Sequence, residues 1–153
     1  MNSADCRLLP RPAVLALTAA LGGCGLSVSP PPQAHPAPVV LNRGEETRGR
    51  LEESDPQAED ESYYDEYEVR GRPGERVTLV MRSTEFDAFL AAGSGAGALW
   101  RQTAGDDNGA GGTDSRLVLT LPDAGRIVVR ANSLDPHKTG AYRITIEAAT
   151  PSI

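Results

Sequence analysis

From Tyr67 onward, apolar residues recur at every second position in six separate runs. Tyr67 and Val69 alternate with Glu66, Glu68 and Arg70. Val77, Leu79 and Met81 alternate with Arg76, Thr78, Val80 and Arg82, and Phe86, Ala88 and Leu90 form a third set. Leu117, Leu119 and Leu121 form a fourth, Ile127, Val129 and Ala131 a fifth, and Tyr142, Ile144 and Ile146 a sixth. Successive side chains of a strand point to opposite faces, so this period is that of half-buried strands. Turn residues separate the runs: Arg72-Pro73-Gly74, Gly93-Ser94-Gly95, Asp107-Asn108-Gly109, Pro122 to Gly125, and Asp135-Pro136-His137. No stretch after Cys24 carries a helical period. Sixteen Gly, twelve Pro and only 5% aromatic residues suit short strands and many turns. The pattern predicts an all-β chain with roughly seven or eight strands in a β-sandwich.

The first segment reads as an address. Arg7 and Arg11 precede the apolar run Ala13 to Leu21, which ends at Gly22, Gly23 and Cys24. This is the basic, apolar and small-residue order of a secretory signal. As a helix the run spans only ~14 Å, too short for a ~30 Å hydrocarbon core. Leu21-Gly22-Gly23-Cys24 resembles the lipobox of bacterial lipoproteins. The resemblance implies cleavage before Cys24 and acylation of its thiol, and two or three acyl chains anchor stably where one is marginal. Residues 1–23 are then a signal peptide, and residues 24–38 a lipidated cysteine with a disordered, proline-rich tether. Residues 39–153 are then the folded domain. Cleavage would remove Cys6, one of the two cysteines, leaving no disulfide partner. Gly25, in place of the aspartate that retains lipoproteins in the inner membrane, points to the outer membrane of a two-membrane cell, on its periplasmic or surface face. A net charge of −6 disfavours general nucleic-acid binding, which needs basic contacts to phosphates.

The order of the turn motifs adds a second resemblance. Asp65-Glu66-Tyr67-Glu68-Val69 is followed by Gly74-Glu75-Arg76-Val77, then by Ser83 with Phe86-Asp87 and Leu90. Asp106-Asp107, Asp114-Ser115-Arg116, Leu121-Pro122 with Ala124-Gly125, and Thr139-Gly140-Ala141-Tyr142 complete the series. Together they resemble the bacterial pre-peptidase C-terminal domain over Gly44 to Ala148. That resemblance implies a single jelly-roll-like antiparallel β-sandwich of about seven to nine strands. Such domains commonly accompany a secreted peptidase, and this chain is expected to be a free-standing copy.

Candidate chemistry is sparse. His137 lies near Ser133 and Asp135, but no nucleophile elbow, zinc-protease helix or phosphate loop is present. A small hydrolase is therefore the third-ranked reading. Calcium is a sharper candidate, since it takes six to eight oxygen ligands. One cluster is Ser54, Asp55 and Asp65, with Glu45 or Glu46 as further candidates. It resembles the calcium site of bacterial collagenase collagen-binding domains, and a pair of polar loops is the competing reading. A second loop, Asp106, Asp107, Asn108 and Asp114, reads first as a polar hairpin tip and only then as a metal loop. Trp100 is expected on a strand, packed at the core or its rim, with an exposed aromatic contact as the alternative. The expected function is a non-catalytic cell-envelope lipoprotein that binds an envelope protein or extracellular ligand. The alternative is an accessory, chaperone or regulator of a separate secreted protease.

Overall fold

In the computed structural model, residues 37–147 are described; the expected signal peptide, Cys24 and most of the expected tether lie outside them. The chain divides into two units, Met1–Ala34 and His35–Ile153, and the described residues belong to the second. They form nine strands: β1 (Val39–Val40), β2 (Glu46–Leu51), β3 (Tyr64–Arg70), β4 (Arg76–Arg82), β5 (Ala88–Ser94), β6 (Arg101–Asp106), β7 (Ser115–Thr120), β8 (Arg126–Ser133) and β9 (Gly140–Ile146). A 3₁₀ turn, Gly97–Leu99, is the one helical piece among the described residues. The expected all-β sandwich is what forms: a five-stranded sheet in the order β1-β3-β8-β5-β6 packs on a four-stranded sheet in the order β2-β9-β4-β7.

The alternation sets the core. Val69, Leu79, Met81, Leu90, Val129 and Ile144 point between the sheets and are fully or almost fully buried. Each such side chain contributes about 1.5–3 kcal/mol of burial. The middle strands of the five-stranded sheet depart from the half-buried pattern. Ala91 on β5 and Arg130 and Asn132 on β8 are buried too, although they face outward. Arg130 is covered there by the rings of Tyr64 and Trp100, and Asn132 donates to Ser62 Oγ at 3.3 Å.

Sequence neighbours mostly sit in opposite sheets. Only β5 and β6 form a hairpin within one sheet, with a register shift between Ala92 and Gly93. Three expectations are corrected here. The ladder is antiparallel except for β1, which runs parallel to β3 with Val39 opposite Tyr67. Gly93 and Ser94 belong to β5 rather than to a turn, because the bulge lets the strand continue. The segment from Asp106 to Gly112 is not a hairpin tip. It joins β6 of one sheet to β7 of the other, since β6 pairs with β5 and β7 with β4. The Pro73-Gly74 turn behaves as read: Gly74 takes φ 74°, a left-handed value that glycine adopts without a side-chain penalty.

Candidate functional site

β3 places Asp65, Tyr67 and Val69 on its inward face. Asp65 is therefore drawn towards the interior at the start of the strand. Across the sandwich, Tyr142 of β9 donates its hydroxyl proton to Asp65 Oδ2 at 2.5 Å. Tyr67 and Tyr142 hydroxyls lie 2.7 Å apart. Because Tyr142 gives its proton to the carboxylate, Tyr67 must donate to the Tyr142 oxygen. The ring of Tyr142 reaches this position over Gly49, its direct partner on β2. A Cβ on Gly49 would lie 2.2 Å from Tyr142 Cζ. Burial pushes the Asp65 carboxyl above the usual range; the Tyr142 hydrogen bond opposes this, and the nearby Asp55 and Glu52 charges add to it. Burial likewise pushes the hydroxyls of Tyr67 and Tyr142 upward.

The first expected cluster is partly assembled. Asp55 and Asp65 open onto one cavity of about 210 Å³, with Val39, Pro56, Tyr64 and Tyr67 among its walls. Asp55 Oδ2 accepts the Glu52 N–H at 2.6 Å. Ser54 is exposed and does not line the cavity. Glu45 accepts from Asn42, and Glu46 turns to Arg48 and Arg143 on the outside of β2. Among the described residues no group of three or more His, Cys, Asp or Glu side chains converges. Two carboxylates, each already accepting one hydrogen bond, supply a minority of the oxygens calcium takes. Any ion there would draw its remaining ligands from water.

In the second loop, Asp106 serves the crossover itself. Its Oδ1 accepts the N–H of Gly109 at 2.8 Å and of Arg116 at 2.7 Å, while its main-chain carbonyl accepts from Ser115 Oγ at 2.7 Å. Asp114 pairs with Arg82 at 3.3 Å. Asp107 lies near Asp87, whose carboxyl is pushed up by burial and by the charges of Asp107 and Asp135.

Trp100 is not on a strand; it follows the 3₁₀ turn and precedes β6. It sits at the rim, half-buried, on the outer face of the five-stranded sheet. The Arg130 guanidinium is sandwiched between the Trp100 ring, 4.0 Å from its centroid, and the Tyr64 ring at 3.9 Å. Glu66 completes the group with a forked pair of bonds to Arg130 at 2.9 and 3.0 Å. Trp100 is thus engaged in covering a buried cation.

The hydrolase candidates stay apart. Ser133 Oγ donates to the Asp135 carbonyl at 2.5 Å. His137 stands exposed in a left-handed turn (φ 56°) and contacts Glu61 at 3.2 Å and Gln57 at 3.2 Å.

One group was missed by the sequence reading. Arg48, Arg82 and Arg143 come from β2, β4 and β9 and line an open cleft of about 440 Å³. Their signal was present as outward positions of three alternating runs. Aligning them needs the register, which pairs strands far apart in sequence.

The sequence matches no family model and no curated protein. Among solved structures, the chain is similar to the pre-peptidase C-terminal domain of collagenase from Bacillus anthracis. The identity is 13%, the TM-score 0.48, and the match covers 71% of this chain and 90% of that one. It is also similar to PliG of Aeromonas hydrophila, a periplasmic lysozyme inhibitor of g-type lysozyme. That match has 11% identity and a TM-score of 0.48, over 71% of this chain and 94% of that one.

Proposed function

We propose that this protein is a non-catalytic binding module of the bacterial cell envelope, tethered through acyl chains on Cys24 and stabilised by calcium between Asp55 and Asp65. The observation that supports a binding role is the dispersal of the catalytic candidates. A nucleophile and its base must stand within hydrogen-bond reach. Here the Ser133 hydroxyl is committed to a main-chain carbonyl, and His137 bonds to Glu61 and Gln57 instead. What remains is a two-sheet scaffold with lined cavities at its surface, which suits recognition of an envelope protein or extracellular ligand.

The calcium part rests on Asp55 and Asp65 lining one cavity to which, among the described residues, no cationic side chain contributes. A cation there relieves the repulsion that Asp55 exerts on Asp65. Thermal unfolding in excess calcium and in chelator tests it. Ligand at ~100 times its dissociation constant adds about 2.7 kcal/mol, a rise of several degrees. The rise is expected to vanish in Asp65→Asn and to persist in Asp107→Ala; no rise at millimolar calcium removes the ion from the reading. For the anchor, wild-type protein is expected in the membrane fraction and Cys24→Ala in the soluble fraction, and equal partitioning refutes acylation at Cys24.

A further inference from the structure

We propose that the outward face of the four-stranded sheet binds a phosphoryl group through Arg48, Arg82 and Arg143. The register carries the argument. Arg48 stands directly opposite Arg143 across the β2–β9 pair, and Arg82 directly opposite Arg143 across the β4–β9 pair. Neighbouring strands lie ~4.8 Å apart, so three guanidinium-bearing positions share one short row. Like charges directly opposite each other destabilise a sheet. The chain accepts this twice in one row, although its net charge is −6.

The local carboxylates do not balance the row. Glu46 is shared between Arg48 at 3.4 Å and Arg143 at 3.7 Å. Asp114 serves Arg82 at 3.3 Å, and Glu85, on the rim of the cleft, lies 3.9 Å from Arg50. The side chains of Arg48, Arg82 and Arg143 remain 82, 57 and 55% exposed, which leaves donors free to turn to a ligand.

The ligand class follows from the donors. Each guanidinium presents a planar fork that matches the oxygens of phosphate or carboxylate. A single carboxylate is satisfied by one fork. A terminal phosphoryl group has three equivalent oxygens and close to two charges, and so can engage all three arginines. Glu85 and Asp114 bound the cleft with negative charge and disfavour a long polyanion lying across it. The occupant is therefore a compact phosphomonoester, either free in solution or as the head group of a phosphorylated lipid.

The experiment uses the full chain carrying Cys24→Ala, so that no acyl chain contributes to binding. Its unfolding midpoint is measured in sodium phosphate and in sodium chloride at matched ionic strength. Phosphate is expected to raise the midpoint by several degrees over chloride. Arg143→Gln is expected to raise the midpoint in chloride, by relieving the opposed charges, and to lose the phosphate response. Arg126→Gln, an exposed arginine of the other sheet, is expected to keep the wild-type response. Flotation with phosphatidylcholine vesicles, with and without phosphatidate, separates the sources. Phosphatidate-dependent flotation that Arg143→Gln abolishes assigns a lipid head group. A phosphate response without such flotation assigns a free ligand. Equal midpoints in phosphate and chloride together with no phosphatidate-dependent flotation, or an undiminished phosphate response in Arg143→Gln, overturns the proposal.

Discussion

Removing the hydroxyl of Tyr142 tests the proton order of the buried Tyr67–Tyr142–Asp65 chain. In wild type, Tyr142 donates to Asp65 at 2.5 Å and accepts from Tyr67 at 2.7 Å. Tyr142→Phe deletes both bonds at once. It leaves the inward oxygen of Asp65 without its donor and the Tyr67 proton without an acceptor. A bond to a charged group contributes about 1.5–3 kcal/mol and a neutral one about 0.5–1.5 kcal/mol. The sum places Tyr142→Phe at about 2–4 kcal/mol of lost stability. Tyr67→Phe deletes only the neutral bond and leaves only a free lone pair on Tyr142, so it costs about 1 kcal/mol. At roughly 4 °C per kcal/mol for a domain near this size, the two midpoints separate by about 4–12 °C. Urea unfolding of the two single variants and the double variant reads these values directly. In Tyr142→Phe the Tyr67 bond no longer exists, so adding Tyr67→Phe is expected to cost little more. If Tyr67→Phe costs as much as Tyr142→Phe, the assigned direction of the protons is wrong, and if the two losses add in full, the Tyr67–Tyr142 bond itself is refuted.

Three further outcomes are expected. Gly49→Ala forces a methyl into the space of the Tyr142 ring, 2.2 Å from its Cζ, and is expected to cost about 1–3 kcal/mol by urea unfolding. Glu66→Ala strands the Arg130 guanidinium, whose side chain is 4% exposed, and is expected to cost about 3 kcal/mol, with Trp100 emission shifting to the red as its stack loosens. The folded-state pKa of Asp65 lies above its ordinary value. The native state therefore holds this proton more tightly than the unfolded chain, and unfolding between the two pKa values releases it. This contribution to stability falls as pH rises from the unfolded value through the folded one. A pH series of unfolding free energies is expected to be flatter over that window in Asp65→Asn than in wild type.

The strands that the sequence announced are those whose inward positions carry large apolar side chains, such as Leu79 and Met81 on β4 or Ile144 and Ile146 on β9. β2 stayed hidden because its inward positions are Thr47, Gly49 and Leu51, small enough at the centre to admit Tyr142 from the neighbouring strand. β6 shows no alternation of its own, since it is an edge strand with mostly exposed side chains, and the strand expected at Trp100 starts instead at Arg101. The Asp106 loop was misread for a different reason. Asp, Asn and Gly satisfy the same backbone needs in a hairpin and in a crossover, so composition does not tell one from the other. Asp55 and Asp65 were grouped with Ser54 by resemblance to a collagenase calcium site, and of the three only the two aspartates line the common cavity. The row of arginines was not, because it depends on pairing Arg48 with Arg143 across most of the domain.

The central place of β9 also sets the order in which the molecule can form. It lies between β2 and β4, yet it is the last of the nine strands among the described residues. Until it arrives, β2 has no partner in its own sheet, and the wall that carries Leu51, Leu79 and Met81 has a gap at its centre. Of the strands adjacent in sequence, only β5 and β6 can zip together locally. Closure of long loops must come before most of the favourable contacts, which makes folding late and slow. Without β9 the five-stranded sheet and the β4–β7 pair can already form, so the four-stranded sheet is the part of the sandwich that closes last.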